Sequence, residues 1–197
     1  MKTIQNFKTG LTLFVLATCF MLSGMQCEKD PNLLEIDKLP PATQIGADTF
    51  GCMVDGKAFI PRKSGWFGGP VLQCSYQYTV NNGHLGYFLA LSASDEKSFG
   101  DGTHMIQLTS DSVELKQQSY VLDEDDTIGK LSGNFFIISD AFIYQYTTNQ
   151  IQKGELIITK FDDVNQIMSG TFWFDAVNKD GVKVEVREGR FDVHFIK

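Results

Sequence analysis

The sequence predicts an all-β domain, an antiparallel meander of about eight to ten strands that forms a β-sandwich or a partly open barrel. Three observations lead to this prediction. From residue 47 onward, apolar residues recur at every second position, which is the period of a half-buried strand. Glycine, asparagine and aspartate interrupt these runs at short intervals, as hairpin turns do. No segment of the domain repeats at helical spacing for three turns.

Tight-turn dipeptides mark the first two hairpins. Asp55-Gly56 and Asn82-Gly83 each stand between two alternating runs, where a two-residue turn with positive φ angles is favoured. The predicted strands are residues 50–54 and 58–60, then 71–80 and 85–91, then 105–109, 120–122, 130–139, 142–148 and 155–161.

The C-terminal hairpin is the clearest predicted element. Its apolar residues are even-numbered from 168 to 186, around a turn at 178–181, and odd-numbered afterwards. The inward residues are expected to be Met168, Gly170, Phe172, Phe174, Ala176, Val182, Val184, Val186, Phe191, Val193 and Phe195. A one-residue slip would expose the last three, so we expect a β-bulge near Gly189 that resets the register.

The N-terminus has the pattern of a signal peptide. Lys2 and Lys8 flank a polar start. Residues 11–22 then form an apolar run of 12 residues. This length is typical of a signal-peptide core and is too short to span a bilayer. We assign residues 1–26 to the signal peptide and exclude them from the domain.

Two cysteines compete as the site of lipid attachment. Cys19 follows a favourable Leu-Ala-Thr, but cleavage there would leave an apolar tether and a very short core. Cys27 follows a full apolar core and precedes a charged, proline-containing stretch, although Gln26 stands where a small residue is usual. We predict lipidation at Cys27, with residues 27–45 as a flexible tether stiffened by prolines and 46–197 as a single domain. The alternative is cleavage near residue 24, which gives a soluble periplasmic protein.

Three stretches, CEKDPN at 27–32 and the segments 39–61 and 167–193, resemble a family of uncharacterised lipoproteins from Bacteroidota-type bacteria. The resemblance implies a cell-envelope protein attached to the outer membrane by its N-terminal lipid, on the periplasmic or the outer surface. It implies no activity that can be transferred to this chain.

After lipidation, Cys52 and Cys74 remain as a pair in an oxidising compartment. Strand parity allows both side chains to point inward. A disulfide between them and two buried free thiols are both consistent with the sequence.

The charge balance argues against a nucleic-acid partner. The net charge is -7, and the basic residues are scattered and mostly stand beside Asp or Glu. Such a surface repels phosphate backbones.

No catalytic motif, cofactor motif or metal motif is present, and the three histidines are isolated. The acidic turn 123–126 and the loop 95–102 hold enough carboxylates to contribute to a calcium site, but a charge run is more often a solvated turn. A glycoside-hydrolase-like enzyme would use pairs drawn from Asp162, Asp163, Asp175 and Asp192. Without a motif that places an acid beside a nucleophile, we expect no enzymatic activity.

A binding or structural role is the preferred interpretation, with a polysaccharide or an envelope protein as partner. Exposed aromatic residues stack on sugar rings, and the candidates are Trp66 in a glycine-rich loop, Trp173 opposite the phenylalanine face of its strand, and Tyr144 with Tyr146. The alternative is that these aromatic side chains complete the core.

Overall fold

A computed structural model describes residues 34–65, 70–81, 83–97, 99–124 and 127–197. The predicted signal peptide, Cys27 and Trp66 lie outside the described residues. Within the described ranges, no helix combines the length and the apolarity that crossing a membrane requires.

Eleven strands and one short 3-10 helix, Glu35–Lys38, form from the described residues. The strands are β1 Thr49–Val54, β2 Lys57–Phe59, β3 Leu72–Asn81, β4 His84–Asp95, β5 Thr103–Asp111, β6 Ser119–Leu122, β7 Lys130–Ile138, β8 Ile143–Thr147, β9 Gly154–Asp162, β10 Ile167–Val177 and β11 Lys183–His194. The all-β prediction is confirmed, with slightly more strands than expected.

All eleven strands belong to one mostly antiparallel sheet with the order β2-β1-β11-β10-β9-β6-β7-β5-β4-β3, and β8 pairs with β7 and β10. The order departs from a simple meander because β6 lies between β9 and β7 and β1 lies beside β11. β6 also pairs with β7 in parallel. Ile196, just after β11, forms a parallel bridge to Ser75 of β3, so the curved sheet is partly closed, as in a barrel.

The first hairpin has the predicted turn. Asp55 and Gly56 have φ angles of 47° and 79°, and β2 returns antiparallel to β1 with Val54 opposite Lys57. Two successive positive φ angles match the twist of the flanking strands, and an Asp-Gly pair adopts them readily. The local sequence therefore determines this hairpin.

The bulge near Gly189 is also confirmed. Phe172 of β10 faces Gly189 of β11, whereas Phe174 faces Val186. One residue of β10, Trp173, therefore faces two residues of β11. The parity change keeps Phe191, Val193 and Phe195 buried beyond the bulge. Val182 was expected to point inward but is exposed, because β11 begins only at residue 183.

The core is a single cluster enclosed by the curved sheet. Its largest fully buried side chains are Phe50, Phe59, Phe174, Phe195, Leu91, Ile106, Leu108, Leu122, Leu156, Ile158, Met168 and Val186. These residues come from strands that are far apart in the chain, so the core forms only when the sheet closes.

The compact unit begins at Leu34, earlier than the predicted domain boundary at residue 46. Residues 39–47, here called the strap, run along the domain. Leu39 is buried, and a side chain at Gly51 would meet the ring of Pro40 at 2.6 Å. This part of the predicted tether is therefore held against β1 and β11.

Candidate functional site

The candidate site is an open depression on the outer surface of β9, β10 and β11, beside the bulge. Its volume is about 560 Å³. It is lined by Ala42, Glu155, Ile157, Thr171, Phe172, Trp173, Arg187, Glu188, Gly189 and Arg190. An exposed aromatic ring and several charged groups thus share one concave surface, and both kinds of group contribute to ligand sites.

Trp173 provides the apolar surface of this depression. Its neighbours Phe172 and Phe174 are buried in the core, so alternation along β10 directs the indole outward, where it is 42% exposed. The predicted face of Trp173 is therefore confirmed. An exposed indole presents a large rigid surface, which makes it suited to stacking on a ligand.

Arg187 fixes the position of a positive charge beside the indole. Its guanidinium carbon lies 5.5 Å from the centroid of the Trp173 ring, within the range of a cation-π contact. One guanidinium nitrogen donates a 3.0 Å hydrogen bond to the Phe174 carbonyl oxygen, and the other contacts a carboxylate oxygen of Asp175 at 2.6 Å. These bonds hold the side chain before any ligand binds.

Asp175 is the carboxylate that holds Arg187. It also forms an ion pair with Lys183 at 2.8 Å. Partial burial acts to raise the pKa of Asp175, but hydrogen bonds from Lys183 and Arg187 outweigh it and lower the pKa. The group therefore stays ionised and keeps Arg187 in place.

The bulge brings a second arginine to the same surface. Because β11 contains one extra residue here, Arg187 and Arg190 both line the depression. Arg190 donates a 3.2 Å hydrogen bond to the Glu188 carbonyl oxygen, and Glu188 has a φ of 54°. The rim therefore carries both signs of charge, and it includes Glu155, which faces Trp173 from β9.

Sequence reasoning identified Trp173 but missed the charged residues around it. The signal that would have found them was the predicted bulge. A bulge interrupts the alternation of inward and outward side chains along β11, so that Arg187 and Arg190, three positions apart, share the outer surface.

The strap forms one border of the depression at Ala42, and Asp192 holds it there. This carboxylate is fully buried. It accepts hydrogen bonds from the hydroxyls of Thr43 and Ser169 and from the backbone N–H groups of Ile45, Gly46 and Ala47, at 2.6 to 3.1 Å. Burial acts to raise the pKa of Asp192, but these hydrogen bonds outweigh it and hold the pKa well below its usual range.

The other predicted aromatic residues do not join Trp173. Tyr144 is 40% exposed and lines a different depression with Val177 and Asn178. Tyr146 lies partly buried, with its ring 5.7 Å from that of Phe135. A continuous platform of Tyr144 and Tyr146 with Trp173 therefore does not form.

Cys52 and Cys74 are free, buried thiols in the structure. Both point inward, as strand parity allowed, but no bond joins them, so the disulfide alternative does not describe this structure. They belong to β1 and β3, which are not neighbours in the sheet. Burial raises the pKa of Cys74 to about 12 and that of Cys52 well above its usual value.

One carboxylate in each acidic turn contacts a nearby side chain: Asp123 forms an ion pair, whereas Asp101 shares a hydrogen bond with a histidine whose pKa is lowered, chiefly by burial. Asp123 lies 2.8 Å from the Lys130 ammonium, and Asp101 contacts the His104 ring at 2.7 Å. Residues 98, 125 and 126 of these turns lie outside the described residues. In the part of the chain that the structure covers, no group of three or more His, Cys, Asp or Glu side chains is arranged to hold a metal ion.

The structure thus shows an all-β domain with an outward-facing depression beside the bulge. Residues 89–193 match the family described as a domain of unknown function, DUF6252. The match covers more than half of the chain, so the protein belongs to this family. The matched region runs from β4 to β11 and contains Trp173 and both arginines. No curated protein and no solved structure shows a significant match.

Proposed function

We propose that this protein is a lipid-anchored component of the cell envelope whose β domain binds a saccharide at Trp173 without catalysing a reaction on it. The observation that carries the proposal is the exposed Trp173 ring, with Arg187 fixed beside it in a depression with a charged rim.

A saccharide fits the chemistry of this surface. The C–H face of a sugar ring stacks on an indole, while its hydroxyls need donors and acceptors nearby. Arg190 supplies donors, Glu155 and Glu188 supply acceptors, and the Thr171 hydroxyl supplies both. An open depression of this size admits part of a longer polysaccharide.

Three of the four aspartates that the sequence offered as catalytic candidates are committed to other bonds. A glycosidase requires one carboxyl group with a raised pKa, which donates a proton to the leaving group. The pKa of Asp162 is instead lowered by hydrogen bonds from Asn165, and those of Asp175 and Asp192 are lowered by the contacts described above. With lowered pKa values, these three aspartates stay ionised and are poor proton donors, which supports binding rather than hydrolysis.

The anchor in this proposal is a lipid on Cys27, as the apolar core at 11–22 and the resemblance to envelope lipoproteins suggest. Because the compact unit begins at Leu34, only residues 28–33 separate it from Cys27. Fully extended, six residues span about 20 Å. The domain would then remain close to the outer membrane that carries the lipid.

Mass spectrometry of the processed N-terminus tests the anchor. The expected N-terminal residue is Cys27 carrying the mass of its lipid. A mature chain that begins near residue 24 or 25 with an unmodified Cys27 would end the lipoprotein proposal and leave the binding proposal standing.

An array of host and bacterial polysaccharides, followed by tryptophan fluorescence titration of the positive ligands, tests the binding. We expect a ligand that changes the indole emission. If no polysaccharide on the array binds, the saccharide assignment is wrong, whether or not Cys27 carries a lipid.

A further inference from the structure

β3 ends the sheet, and in the part of the chain that the structure describes only the first half of its outer edge is paired. Tyr76 donates a 2.8 Å backbone hydrogen bond to the Ile196 carbonyl oxygen, and the Ile196 N–H donates to the Cys74 carbonyl oxygen at 2.9 Å. This bridge runs parallel to β3. The edge therefore already accepts one extended segment, the residues that follow β11.

Beyond this bridge the edge continues without a strand. In a strand, the N–H and C=O of one residue point to the same side, and the side alternates along the chain. Since Tyr76 points its groups to the outer edge, Tyr78 and Val80 do so too, while β4 pairs on the opposite side. Among the described residues, no strand faces these groups.

The side chains along this edge form an apolar surface outside the core. Tyr78, Val80, Leu85 and Tyr87 have the parity of the buried residues earlier in the hairpin, yet each is between 37% and 63% exposed. The rings of Tyr78 and Tyr87 lie 4.9 Å apart. The apolar face of the β3–β4 hairpin therefore extends beyond the core and is exposed there.

A depression of about 520 Å³ lies beside this edge. Tyr78 and Tyr87 line one side of it. Asp163 and Lys197 line the other and are joined by a 2.8 Å ion pair. The two charges neutralise each other, so the depression presents backbone groups, aromatic rings and a neutral rim.

This edge also lacks the usual protection against strand addition. Exposed edges commonly carry lysine, proline or a bulge. β3 contains none of these: it pairs with β4 without a register shift, and residues 64–94 contain no Asp, Glu, Lys or Arg in a chain with 41 such residues. An apolar, uncharged edge with free backbone groups favours pairing with another strand.

We propose that the outer edge of β3, from Tyr76 to Val80, binds an extended peptide segment of a partner protein as an added strand. The Tyr76 carbonyl, both backbone groups of Tyr78 and the Val80 N–H bond its backbone. The bound segment is uncharged, and its alternate residues are apolar and contact Tyr78 and Tyr87. This inference is independent of the lipid on Cys27 and of the Trp173 site.

A second copy of the chain fits this edge less well than a separate peptide. In a twofold antiparallel pairing centred on Tyr78, residue 81 of the second copy would face Ser75. Ile196 already occupies that position. A free peptide can end before it reaches Ile196, so it avoids this collision.

Two substitutions at Val80 separate backbone pairing from side-chain contact. Val80→Pro removes an N–H that faces the outer edge, so the hydrogen bonds between β3 and β4 are retained. Val80→Thr keeps the N–H and the β-branched shape as the matched control. Melting curves first establish that both full-length variants fold.

The probe is a labelled hexapeptide of alternating threonine and valine with blocked ends, and binding is measured by fluorescence anisotropy. We expect saturable binding to the unchanged protein. The affinity should be about tenfold weaker for Val80→Pro and within about threefold of the unchanged protein for Val80→Thr. A second peptide, N-methylated at alternate residues, keeps the side chains but loses the edge donors. It should also bind about tenfold more weakly.

Three results would overturn the proposal. They are no binding at millimolar peptide, equal binding of the plain and N-methylated peptides, and a dimer in analytical ultracentrifugation that Val80→Pro abolishes. The last would assign the edge to a second copy. If Val80→Pro fails to fold, comparing the two peptides on the unchanged protein still tests whether the edge binds through backbone hydrogen bonds.

Discussion

The Thr43 hydroxyl donates a 2.6 Å hydrogen bond to the carboxylate of Asp192, which lies 149 positions later in the chain. This bond is one of five that join Asp192 to the strap and to β10. The strap in turn forms a border of the Trp173 depression. The shape of the candidate site therefore depends on a buried carboxylate that does not line it.

Replacing Asp192 by Asn should destabilise the fold by about 3 kcal/mol, because an amide nitrogen would face donors that now bond a charged oxygen. Urea unfolding measures the change. Asp163→Asn is the control, since Asp163 is exposed and forms a surface ion pair with Lys197. It should cost less than about 0.5 kcal/mol. Equal losses in the two variants would contradict the role of Asp192.

The same carboxylate predicts a pH dependence. Its pKa is depressed in the folded state, so its contribution to stability is fully present above the unfolded-state pKa near 4. The contribution is lost as the pH falls from there toward the folded-state pKa. Between pH 7 and pH 3, the unfolding free energy of the unchanged protein should fall more than that of Asp192→Asn. Parallel curves would show that other groups dominate the acid response.

Gly189→Ala tests the bulge. A β-carbon at this position would lie 2.5 Å from the Phe172 carbonyl oxygen and 2.6 Å from the Phe172 ring, so the substitution should destabilise the protein by about 2 kcal/mol. Gly65→Ala is the matched control, because an added β-carbon there meets no atom of the described residues within 4 Å. Thermal unfolding compares the two, and an unaffected Gly189→Ala protein would mean that the bulge relaxes without cost.

The two buried thiols should be almost unreactive in the folded protein. With its pKa at about 12, Cys74 should react with Ellman's reagent roughly a thousandfold more slowly at pH 8 than an exposed thiol. After denaturation without reductant, Cys52 and Cys74 should both react. Their failure to react would reveal the disulfide that this structure lacks.

Local patterns predicted the elements that depend on neighbours in the chain. The Asp55-Gly56 turn, the alternation of β10 and the parity change near Gly189 each result from steric preferences within a few residues. The all-β fold and the outward position of Trp173 followed from them. Sequence alone did not choose between a sandwich and a barrel, because the partial closure of the sheet comes from a long-range bridge, Ile196 to Ser75.

Long-range contacts explain what sequence analysis missed. Residues 39–45 have the composition of a linker, and the donors that bind Asp192 are mostly backbone N–H groups, which leave no signature in the sequence. Asp192 itself has the outward parity of its strand, yet the strap buries it. The contact between Arg187 and Trp173 also joins two strands, β11 and β10. The bulge determines which residues of these strands face each other.

The most direct test of the binding site is the affinity of Trp173→Ala for a saccharide that the unchanged protein binds, measured by isothermal titration calorimetry. Tyr144→Ala is the control, since Tyr144 is about as exposed as Trp173 and lines a different depression. We predict a loss of about tenfold or more for Trp173→Ala, from the stacking it removes, and no change for Tyr144→Ala. Unchanged affinity in Trp173→Ala would contradict the assignment of this depression as the binding site.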